Sequence, residues 1–188
     1  MANHMSTSLT IGNLEKPSYD KLKQIFNDGT NEYYTNVEHI IKQMYGDVDF
    51  SKLDWWYDNV GSKWLEVESA VTEDFESEVQ LYMTSAWNVP VEFLEKLRDI
   101  LTDINKDVVL YGTYEDESLD PIGAFVYGYG YDDIEDLDIE IDFDKYWGEY
   151  DEEAEEYRDS VFDELFQHKD NMYQAYLDTI EEERKEEQ

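Results

Sequence analysis

The chain has 188 residues and sets 14 Lys and Arg against 48 Asp and Glu, a formal net charge of −34. The absence of cysteine excludes disulfide frameworks, thiolate metal sites and cysteine nucleophiles. The charge disfavours direct contact with DNA, RNA or anionic lipid, whose affinity is supplied by Lys and Arg.

A 41% hydrophobic composition with 16 Tyr, 8 Phe and 5 Trp supplies apolar surface that a disordered acidic chain lacks, so one folded core is expected. No run approaches the roughly 18 apolar residues that cross a bilayer, and the first twelve residues lack a basic region and a long apolar stretch. The chain reads as soluble and cytoplasmic.

Residues 7–11 (Thr7, Ser8, Leu9, Thr10, Ile11) form a β-compatible run closed by Gly12 and Asn13, a first strand. Pro17 then opens a helix with Tyr19, Leu22, Ile25 and Phe26 at spacings of three and four, stopped by Asn27, Asp28 and Gly29. Val37, Ile40, Ile41 and Met44 mark one face of a second helix. Alternation over residues 64–68 and 79–84 predicts two paired strands with a turn at 72–74.

Pro90 begins a helix whose stripe is Val91, Leu94, Leu97, Leu101 and Ile104, and residues 108–114 read as the next strand. Residues 121–131 are apolar and aromatic with Gly123, Gly128 and Gly130, a strand or hairpin that should pair with its predecessor. From Asp132 alternation resumes. From about Glu149 to Glu187, Tyr157, Val161, Leu165, Tyr173, Leu177 and Ile180 recur at helical spacing, one long helix or two broken near Asn171. The expected fold class is α+β, antiparallel strands in one layer and helices in another, with a core over 1–131 and an acidic strand and C-terminal helix or helix pair over 132–188 packed on it.

Two stretches carry a resemblance: the Met1-Ala2-Asn3-His4 opening, and Val60-Gly61-Ser62-Lys63-Trp64 followed by Thr84-Ser85-Ala86-Trp87-Asn88-Val89-Pro90. They resemble the YubB ferredoxin-like family of phage and plasmid proteins, over residues 1–130 at most. The family's usual motifs have Pro at position 2, Trp at 60, Thr at 62 and Pro at 89, where this chain departs. The resemblance implies a ferredoxin-like βαββαβ core, a mobile-element origin and hence a host-cell cytoplasm, and carries no activity. Trp64, Trp87 and the Trp55-Trp56-Tyr57 cluster read as core and inter-element packing.

Charge is uneven. Residues 1–114 hold 20 acids and 9 bases, net −11, whereas 115–188 hold 28 acids and 5 bases, net −23. Asp132, Asp133, Glu135 and Asp136 lead into Asp138, Glu140, Asp142 and Asp144, which alternate with Leu137, Ile139, Ile141 and Phe143. On a strand this places four carboxylates on one face about 6.5 Å apart, a row that repels itself. Glu149, Asp151, Glu152, Glu153, Glu155 and Glu156 continue it into the helix as a continuous negative surface.

DNA carries one phosphate per roughly 3.4 Å of axis on each strand, so such rows approximate its charge pattern to a basic, nucleic-acid-binding host protein. The expected function is therefore a DNA-mimic-type inhibitor. Tyr127, Tyr129, Tyr131, Tyr146 and Trp147 are candidate anchors.

Other readings stand beside it: a solvated edge that guards against aggregation, an acidic adaptor or assembly protein, and a small hydrolase. Asp47, Asp49 and Asp138 to Asp142 alternate as in a calcium loop but lack its sixth-position Gly. His4, His39 and His168 form no ligand motif, so neither metal nor cofactor is expected.

Overall fold

The computed structural model describes residues 3–27, 36–69, 71–147 and 152–186. Alternation at the start becomes β1 (His4–Gly12), which buries Met5, Leu9 and Ile11 and turns Ser6, Ser8 and Thr10 the other way. α1 (Lys16–Phe26) starts where Pro17 can sit without losing a hydrogen bond, and Ser18 Oγ accepts from the Glu15 N–H at 3.0 Å. Asn36 caps α2 (Val37–Tyr45) by accepting from Glu38 N at 2.9 Å, and Gly46 ends it at φ +77°.

A short helix that the periodicity did not announce, α3 (Leu53–Asn59), carries Trp55 and Trp56. Both are half-buried against the core, their rings T-shaped at 5.7 Å. Seven residues, about two turns, are too few for a helical repeat to be read from sequence.

β2 (Leu65–Ser69) and β3 (Val79–Ala86) follow as the alternation predicts. α4 (Val91–Thr102) buries Leu94, Leu97 and Leu101, while Ile104 lies beyond its end and is exposed. The chain continues through β4 (Val109–Asp116), β5 (Ile122–Gly128), β6 (Tyr131–Asp136), α5 (Phe143–Tyr146) and α6 (Glu152–Glu186).

The strands form one six-stranded antiparallel sheet in the order β2-β3-β1-β4-β5-β6. Its first four strands, joined by helices after β1 and after β3, have the ferredoxin-like βαββαβ arrangement; β5 and β6 extend it as a meander. Leu9, Leu110, Phe125 and Tyr127 point to one face, where they meet Leu22, Ile40 and Leu97 of the helices. Each such apolar side chain contributes about 1.5–3 kcal/mol by leaving water.

Val109, Ala124 and Val126 alternate with these, point to the other face and are covered by Met172 and Tyr176 of α6. α6 thus adds a third layer that the two-layer expectation did not include. It also explains the unbroken apolar run of β5, which is buried on both faces along its length. The helix is continuous through Asn171. Its buried stripe is Ala154, Val161, Leu165, Met172 and Tyr176, so Leu177, expected inside, is exposed and Tyr173 and Ile180 only flank the core.

Candidate partner-binding surface

β6 is an edge strand of the sheet, and its register with β5 (Tyr127↔Asp132, Phe125↔Ile134, Gly123↔Asp136) fixes which way its carboxylates face. Asp132, Ile134 and Asp136 point to the α1–α4 side; Asp133 and Glu135 point to the α6 side. Asp136 accepts from the Tyr114 hydroxyl at 2.6 Å, while His168 of α6 lies 3.4 Å from the Glu135 carbonyl.

The ladder ends at Asp136, and the expected strand through Asp144 does not form. After Leu137 N donates to the Ile122 carbonyl at 2.8 Å, the chain leaves the sheet. Alternation nevertheless persists without pairing. Leu137, Ile139 and Ile141 pack beneath α6 with Val161, Leu165 and Tyr146, and Asp138, Glu140 and Asp142 stay in water. A tight turn, in which Ile139 N donates to the Leu137 carbonyl at 3.0 Å, lies within the segment, and burial of its apolar side rather than pairing holds it against α6.

Asp142 then caps α5, its carboxylate accepting from Lys145 N at 3.1 Å while its own N–H donates to the Tyr157 hydroxyl at 2.8 Å. Asp144 therefore sits in a helical turn rather than in register with the other three.

Glu152, Glu153, Glu155 and Glu156 are exposed on the first turns of α6, where they also complement the helix dipole. Glu149 and Asp151 lie outside the described residues. Between positions 132 and 164 the described residues carry 15 carboxylates and 2 cations, net −13. Both cations are engaged: Lys145 lies 3.0 Å from Glu153, a hydrogen bond that raises its pKa, and Arg158 donates to the Tyr146 carbonyl at 3.0 Å. Edge strand, the 137–142 segment and the first third of α6 thus form one acidic margin.

The negative surface does not run the length of α6. Between Leu165 and Leu177 its only acid is Asp170, which pairs with Lys169 at 3.2 Å.

The aromatic anchors divide. Tyr127 and Tyr146 are buried and offer no surface; burial raises the pKa of both hydroxyls. Tyr131 is half-buried, edge-on to Tyr176 at 5.2 Å. Trp147, 63% exposed, ends the margin, and Tyr129 is exposed at the β5–β6 turn under Lys106 at 4.3 Å.

Two apolar residues of the margin that were not among the expected anchors, Ile134 and Phe143, are both exposed. Ile134 borders a cavity of about 370 Å³ lined also by Trp87, Val89, Pro121 and Asp136. Trp87, expected in the core, is 45% exposed at φ +68°, with Lys63 5.2 Å above its ring. The tight reversal after β3 turns it out of the sheet.

Among the described residues no group of three or more His, Asp or Glu is placed to hold a metal ion. Asp49 is engaged by Ser51, which donates from N at 3.1 Å and from Oγ at 2.6 Å. His4 stands edge-on to Trp64 at 5.4 Å, and His39 Nε2 lies 2.9 Å from the Gln24 carbonyl. No described helix is long and apolar enough to cross a membrane. No family model, curated protein or solved structure matches the chain.

Proposed function

We propose that this protein is a DNA-mimic-type inhibitor of phage or mobile-element origin, whose acidic margin occupies the nucleic-acid-binding groove of a host defence protein of the restriction or CRISPR kind. One observation carries the reading. The carboxylates of β6, of residues 138–142 and of the start of α6 follow one another along one border of the fold, on both faces of the edge strand, with both cations of that stretch already engaged. A surface built only to stay in water would intersperse free Lys among them.

The inhibitor acts by binding and performs no chemistry. Its field accelerates encounter with a basic groove, and binding weakens steeply with salt. Asp138, Glu140 and Asp142 stand exposed at alternate positions of the 137–142 segment, a row of negative charge of the kind that a phosphate backbone presents to a basic groove. The acidic first third of α6, residues 152–164, spans about 20 Å, the length of roughly 6 base pairs. Ile134, Phe143 and Trp147 supply the apolar contacts that a purely ionic surface lacks.

The test is capture of partners from host lysate with wild type and with Asp138, Glu140, Asp142 and Asp144 changed to Asn or Gln, eluted by a salt gradient. A nucleic-acid-binding protein held by wild type alone and displaced by added DNA supports mimicry. The same partner on both, or no competition by DNA, makes the margin a solvated edge and the protein an acidic adaptor.

A further inference from the structure

α6 covers β4 and β5 but not β1, β2 or β3, so half of the second sheet face is left open beside the helix. The register lays out what stands on it. One row across the strands reads Glu66, Thr84, Ser6, Glu115, and the next reads Glu68, Tyr82, Ser8, Thr113. Each hydroxyl row is therefore closed at one end by a β2 carboxylate, and Glu66 and Glu115 stand three strand spacings apart, about 14 Å.

Phe162, Leu165, Phe166 and Lys169 of α6 wall the face, enclosing a groove of about 500 Å³. That volume suits a few residues of peptide. Tyr82, 55% exposed, and Phe166, 49% exposed, form its two lips.

We propose that this open half-sheet is a second docking surface, which takes a basic peptide segment of another protein in extended form, with one Lys or Arg received at Glu68 and another at Glu115. Charge identifies the occupant. Glu66, Glu68 and Glu115 stand on the face, Glu78 accepts from the Tyr111 hydroxyl at its rim at 3.1 Å, and Asp170 lies beside it. The single cation lining the groove, Lys169, is already held 3.2 Å from Asp170 and 5.7 Å over the Phe166 ring.

One Glu115 oxygen is shielded from water and has no hydrogen-bond partner, so a rotation of this side chain toward the groove would let an arriving cation satisfy it. The hydroxyls of Ser6, Ser8 and Thr84 make no side-chain hydrogen bond within the described part and are free to pair with a peptide. Phosphate ligands are repelled by the same charges. The two rings suit the aliphatic stem and head of Lys or Arg.

The surface lies on the β3 side of α6, away from the β6 margin, and is independent of the mimicry reading. The probe is a short synthetic peptide of alternating Arg and Ser titrated into the isotope-labelled full chain. Amide shifts confined to β1, β2, β3, β4 and Phe162–Lys169 of α6 are expected. Glu68→Gln with Glu115→Gln should weaken binding at least about tenfold, and Tyr82→Ser with Phe166→Ser likewise, while the Asp138, Glu140, Asp142 and Asp144 variant changes it less than about twofold.

Glu68 and Tyr82 are exposed, so Glu68→Gln and Tyr82→Ser carry the test if Glu115→Gln does not fold. Shifts centred on residues 132–156, undiminished binding by the groove variants, or equal binding of a Gly-Ser peptide overturns the proposal. So does broadening of the groove amides with protein concentration alone, which would make the occupant a second copy of the chain.

Discussion

Tyr127 packs fully inside while its hydroxyl meets no partner, and burial, with Glu95 and Asp132 nearby, pushes its pKa above the ordinary tyrosine value. Removing an unsatisfied buried donor costs nothing and relieves a desolvation penalty. Tyr127→Phe should therefore leave stability unchanged or raise it by up to about 1 kcal/mol, read as a higher urea midpoint at constant slope. Glu115 poses the complementary case. Burial raises its pKa above the ordinary 4.5, so between those two values the folded chain binds more protons than the unfolded one. The stability this contributes is present below the ordinary value and is lost as pH rises through the folded one. Glu115→Gln should accordingly melt higher than wild type at pH 7, with the gain gone at pH 4, as thermal melts at the two pH values would measure.

The docking of α6 depends on one close approach: a Cβ at Gly128 would meet the Tyr176 ring at 2.5 Å. Gly128→Val should overpack this contact and cost about 1–3 kcal/mol, with faster hydrogen exchange in α6 than in β1 and β3. The layer itself was not legible in the sequence. Residues 122–128 announce a strand by their apolar run, but what covers each side of it is decided by α6, some fifty residues away. β1, β3, α1, α2 and α4 were legible because each carries its own period over several turns or pleats. The site was legible in composition and only partly in geometry. Leu137 to Ile141 alternate as a strand does, yet pairing needs a neighbour that no local pattern specifies, and these residues found their cover in Val161 and Leu165 instead. Trp87 misled because its apolar bulk outweighed the tight reversal in which it sits. Tyr82 and Phe166 became lips of a groove only once the register was fixed.

At the scale of the whole molecule, a net charge of −34 works against compaction. The Debye length falls from about 30 Å at 0.01 M salt to about 8 Å at 0.15 M. The melting temperature should therefore rise over that range by at least about 2–4 °C, the shift worth 1 kcal/mol at this chain length. A melting temperature that stays flat in sodium chloride would mean that the fold disperses its charges better than their count implies. The same screening weakens capture of a basic partner, so salt should stabilise the chain and loosen its complexes together.

That α6 follows all the described strands has a consequence for how the chain is made. Every strand leaves the ribosome before the helix that shields Val109, Ala124 and Val126, so each nascent copy passes through an interval with a greasy sheet face and a bare β6 edge. Neighbouring chains on one messenger meet in that interval. The carboxylates of β6 and of residues 138–142 have by then already emerged, and their mutual repulsion keeps the half-built sheets from zipping edge to edge.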